Sequence, residues 1–76
     1  MTFNKLIEII DNNNDVVFTS YRHYGYFVKT RYGEIKYWDD IMGFDKIVFY
    51  VEDFKKSDWY IVDKNDIPSG LNKWFD

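Results

Sequence analysis

The sequence predicts an α+β domain, with one N-terminal helix packed on an antiparallel sheet of about five strands. Three observations predict it. A single apolar stripe at helical spacing stands at the start, a strand pair around Tyr32-Gly33 occupies the middle, and an apolar burst at Trp59 follows a charged turn.

Phe3, Leu6, Ile7 and Ile10 recur at the i, i+3, i+4, i+7 spacing of one helical face, and Thr2 before them is a natural N-cap. Asn12-Asn13-Asn14-Asp15 ends the helix, because asparagine tolerates the left-handed conformation and no apolar residue invites continuation. Val16 to Tyr21 is β-branched and aromatic and reads as the first strand. Tyr26 to Arg31 alternates with period two, Tyr32-Gly33 supplies the turn glycine, and Glu34 to Trp38 returns as the hairpin partner. Asp39 to Asp45 reads as a loop. Lys46 to Val51 reads as a further strand, apolar on both faces and hence central or covered. Glu52 to Asp58 is one helical turn or a tight loop, and Trp59 to Val62 is the last strand. Ile67, Leu71, Trp74 and Phe75 give the C-terminal segment an apolar side, with Pro68 and Gly70 limiting any helix there to a turn or two.

At 76 residues the chain holds a single domain, 1–76, since a second core would leave each half too small. A domain this short buries only about 60 % of its unfolded surface and commonly leans on disulfides, a metal or a partner. Without cysteine there is no disulfide and no thiolate site, and the lone His23 cannot build a nitrogen-rich metal cage. No metal or cofactor is expected. A homo-oligomer is.

The composition is 46 % hydrophobic and 22 % aromatic, and that aromatic share points to rings that meet something other than their own core. A net charge of −3 argues against a nucleic-acid backbone as partner. The N-terminal apolar run is short and charged, and no stretch nears the roughly 20 apolar residues of a membrane span. The expectation is a cytoplasmic protein without a membrane partner.

Catalysis finds little support, because Ser20, Ser57 and Ser69 stand in no nucleophile motif and glycines 25, 33, 43 and 70 form no phosphate loop. The chain reads as no enzyme. Asp39-Asp40 and Glu52-Asp53 lack calcium-loop spacing, and adjacent loop acids are usually solvated surface. The richest constellation is Tyr21-Arg22-His23-Tyr24-Gly25-Tyr26. Its rings could stack a planar base while Arg22 forks a phosphate, or its tyrosines could pack at a subunit interface. Trp38 and Trp59 carry the same two readings, core or pocket.

Asp53-Phe54-Lys55-Lys56-Ser57-Asp58-Trp59-Tyr60-Ile61-Val62 places an acid five positions before an Asp-Trp pair and an apolar strand. That run resembles the closing signature of a family of small phage proteins that includes the Thoeris anti-defence cyclic-nucleotide sponges. The opening Met1-Thr2-Phe3 helix and the Thr30 to Ile35 hairpin are similar to the same family, so the likeness spans residue 1 to about 63 and leaves 63–76 as a C-terminal extension. The family's tryptophan and close glycine after the first strand are replaced here by Tyr21 and the later Gly25.

The resemblance implies a phage protein acting in the host cytoplasm, assembled as a homo-oligomer that sequesters a cyclic ADP-ribose type signal between subunits. Tyr21, Arg22, His23, Tyr24 and Trp59 are its candidate ligand-binding residues. Two other readings stay open. One is a protein inhibitor that blocks a bacterial defence protein such as a CRISPR or restriction effector, suggested by the acid-rich stretch from Asp39 to Asp66. The other is an interaction module with no ligand.

Overall fold

A computed structural model of the protein describes residues 1–75, the side chain of Phe75 excepted, so that residue's part in the predicted apolar side and Asp76 lie outside the description. Helix α1 (Phe3–Asp11) starts where Thr2 accepts a hydrogen bond from the Lys5 N–H at 3.1 Å. Beyond its C-terminus, Asp15 takes the left-handed conformation, φ 57°. Strands β1 (Val16–Ser20), β2 (Tyr26–Lys29), β3 (Ile35–Asp39), β4 (Gly43–Asp45) and β5 (Trp59–Ile61) form one antiparallel sheet in the order β4-β3-β2-β1-β5. The predicted helix on a five-stranded sheet is the architecture found.

Strand alternation divides the sheet into two apolar faces. On one face Phe18, Phe27 and Trp59 meet Leu6 and Ile10 of α1. Lys29, on the same face, donates to the carbonyls of Ile10 and Asp11, capping the helix end where a cation is favoured. On the other face Val17, Val28 and Trp38 are covered by Val62 and by Leu71 of the short helix α3 (Ser69–Asn72). The C-terminal segment thus forms a third layer. Gly70 lies against Trp38, where a Cβ would come within 3.0 Å of the indole.

One predicted strand is corrected. Lys46 to Tyr50 is not a strand; the fifth strand is instead β4, inside the predicted loop, and it lies at the sheet edge. Gly43, at φ 71°, brings the chain into the sheet early. The Asp45 carboxylate then accepts from the Lys46 N–H at 2.7 Å, and the Asp53 carboxylate accepts from the Tyr50 N–H at 2.7 Å, at the start of α2 (Val51–Lys55). Side-chain acceptors thus take the donors at both ends of the segment. Between them Phe49 packs parallel to Phe27 at 5.3 Å, while Val48 and Tyr50 remain exposed rather than covered.

Candidate functional site

The turn after β1 is held by an ion cluster that draws in three of the five predicted site residues. Arg22 donates from Nε and Nη2 to both oxygens of Asp58, at 2.7 and 2.9 Å, and from Nη1 to Asp53 Oδ1 at 2.5 Å. His23 Nε2 lies 3.2 Å from the same Asp53 oxygen, and its Nδ1 lies 2.6 Å from Ser20 Oγ. Trp59 is 1 % exposed, donates its indole N–H to the Asp53 carbonyl at 2.7 Å and packs against His23 at 5.2 Å. The acid five positions before the Asp-Trp pair, and the aspartate of that pair, are therefore the two partners of Arg22.

Tyr21 and Tyr24 are not brought into that cluster. Tyr21 is 81 % exposed and stacks on Tyr60 at 4.8 Å, while the Tyr24 hydroxyl donates to Asp40 at 2.6 Å. A fork on phosphate beside stacked tyrosines is not assembled in one chain, because the guanidinium faces inward to carboxylates. Gly25 explains the late glycine: a Cβ there would sit 2.6 Å from Tyr37 Cζ, so the turn closes only on a residue without one.

Charge in the cluster follows from burial and pairing. The bidentate bond to Asp58 raises the already high Arg22 value, so the guanidinium is permanently charged. Burial lowers His23, with the Asp53 charge only partly offsetting it, and the ring is neutral at pH 7. Burial alone would raise Asp53, but the Tyr50 N–H, Arg22 and His23 outweigh it and hold the carboxyl below its usual range. The neutral imidazole then accepts from Ser20 and donates to Asp53.

Ser20, His23 and Asp53 share the connectivity of a nucleophile, base and orienting acid. Ser20 is 1 % exposed and its Oγ also accepts from the Arg22 N–H at 3.3 Å, so a substrate carbonyl reaches it only if the turn moves. The arrangement as it stands locks the turn.

The open face of the cluster borders a cavity of about 210 Å³ lined by His23, Tyr37, Lys46, Val48 and Tyr50. Lys46 also lines a shallower one of about 550 Å³ with Ile35, Lys36, Phe44, Asp45 and Ile47. Among the described residues Lys46 forms no ion pair. Three rings around one hollow can stack a planar base, and the unpaired ammonium of Lys46 can meet a phosphate attached to it. Sequence reading reached only His23 here. Tyr37 stands on β3 whereas Lys46 and Tyr50 come from the irregular 46–50 segment, and the strand assigned to Lys46–Val51 gave no sign that its two ends would meet Tyr37 and His23. Compared with protein-family models, with curated proteins and with solved structures, the chain matches none of them.

Proposed function

We propose that the chain is a phage anti-defence protein that binds and sequesters a nucleotide-derived immune signal of the cyclic ADP-ribose type, without catalysis and as a homo-oligomer in the host cytoplasm. The carrying observation is the cavity of His23, Tyr37 and Tyr50 with Lys46 at its wall. One base stacked there contributes about 1–3 kcal/mol, whereas micromolar holding requires about −8 kcal/mol. A hollow of about 210 Å³ also falls below the roughly 300–1,000 Å³ of ordinary ligand pockets. The remaining contacts belong to a second copy, as a site between subunits requires. Calorimetry against cyclic ADP-ribose isomers and cyclic dinucleotides tests the reading. Saturable heat that Tyr50→Ala and Lys46→Ala each weaken supports it; no heat with any of these ligands ends it.

A second reading, an inhibitor docking on a bacterial defence protein, is favoured by the exposed apolar residues Val48, Tyr50, Val51 and Phe54, the last of which keeps about half its surface open although it packs edge-on against Phe3. Pull-down from infected-cell lysate separates the two, since the inhibitor brings down a stoichiometric protein and the sponge a small molecule.

A further inference from the structure

At the opposite side of the β1–β2 turn, Tyr24, Tyr26, Asp39, Asp40 and Pro68 line a separate cavity of about 240 Å³. It shares no residue with the His23–Tyr50 hollow, and its chemistry is reversed. The walls are two phenol rings and a proline ring, the charges are two carboxylates, and among the described residues no Lys or Arg lines it. Among the described residues neither aspartate forms an ion pair. Asp39 uses Oδ1 for the Ile41 and Met42 N–H groups, at 2.9 and 2.7 Å, and Asp40 uses Oδ1 for the Tyr24 hydroxyl. These bonds tie the Tyr24 ring to the Asp40 carboxylate and fix the Asp39 carboxylate beside the hollow. Tyr26 pairs with Trp38 across the β2–β3 ladder, beside Asp39, so two walls stand on the sheet itself.

A water molecule's share of liquid is about 30 Å³, so the cavity has room for a polyatomic head group. Ring faces carry the negative end of the aromatic quadrupole, and with unpaired carboxylates beside them they attract cations and repel phosphate. A hard metal ion gains nothing from phenol faces and wants more oxygen ligands than this hollow gives, whereas an alkylated cation uses both rings and charge.

We propose that this cavity binds an organic cation, an alkylammonium or guanidinium group. The proposal stands apart from the sequestration reading and survives its failure. Two sources carry that chemistry: a free polyamine, or a lysine or arginine side chain of a protein.

The test is a two-dimensional amide NMR titration of the full chain with tetramethylammonium, spermidine and a glycyl-arginyl-glycine amide, each against sodium chloride at matched ionic strength. Saturable shifts grouped on Tyr24, Tyr26 and Asp40 are expected. Asp40→Asn should weaken them about two- to fivefold and Tyr24→Ala about tenfold, whereas Tyr24→Phe keeps the ring and retains binding. Spermidine alone shifting the spectrum identifies a free amine; tighter binding of the peptide identifies a protein side chain. Asp40 is exposed, and unshifted core amides report an intact fold in its variant. Shifts no larger than those of sodium chloride, or shifts unchanged in Asp40→Asn, overturn the proposal.

Discussion

Asp53 is fully buried and accepts from Arg22, His23 and the Tyr50 N–H, which joins the β1–β2 turn to α2. Replacing it by alanine leaves Arg22 held by Asp58 alone and takes the acceptor from the Tyr50 N–H and from His23, at an expected loss of about 1–3 kcal/mol, read by chemical denaturation. Removing the lone His23 should act through pH instead. Its folded pKa lies below the unfolded value near 6.5, so the unfolded chain takes the proton first; the stabilisation is full above about 6.5 and declines as pH falls towards the folded value. Asp53 and Asp58 are also lowered, so theirs is full above about 4 and is lost as pH falls through their folded values. The melting temperature should therefore fall in two stages on acidification, and His23→Gln should abolish the first stage only. A single acid transition in both proteins would contradict this.

The C-terminal layer and the irregular 46–50 segment decide matters at the level of elements. Leu71 is 1 % exposed against Val17, Val28 and Trp38, so Leu71→Ala should lower stability by about 2–5 kcal/mol. Ending the chain after Asp63 uncovers that whole sheet face, and the product should bind a hydrophobic dye and lose its cooperative melt. Full retention of the melt would show that α3 contributes no cover. At Gly25 the obstacle is steric. Gly25→Ala should cost about 1–3 kcal/mol by forcing Tyr37 and the Trp38 carbonyl apart, which a shifted Tyr37 amide resonance would report.

For the whole molecule, the exposed Val48 and Tyr50 line the cavity that carries the proposed function, and the exposed Val51 and Phe54 follow them in α2. A homo-oligomer that covers these residues is the expected outcome, with Val51→Lys shifting sedimentation towards the single chain and weakening signal binding in parallel. A wild-type chain that sediments as a monomer while still binding the signal would separate the two ideas. No helix among the described residues is long and apolar enough to cross a membrane.

Local pattern alone was sufficient for α1, its Thr2 cap, the Thr30–Ile35 hairpin and the closing strand at Trp59, because each rests on spacing and turn chemistry within a few residues. Lys46 to Tyr50 shows the limit of that reasoning. Its β-rich residues bend away from the sheet because Asp53, three positions beyond Tyr50, captures a backbone donor that a ladder would have used. The site divides the same way. Aromatic surplus marked the Tyr21–Tyr26 turn as unusual, yet only the folded chain could set Arg22 against Asp53 and Asp58, or gather Tyr37, Lys46 and Tyr50 around His23. Those partners lie far apart in sequence, and their meeting depends on strand order and side-chain direction, which no local spacing encodes.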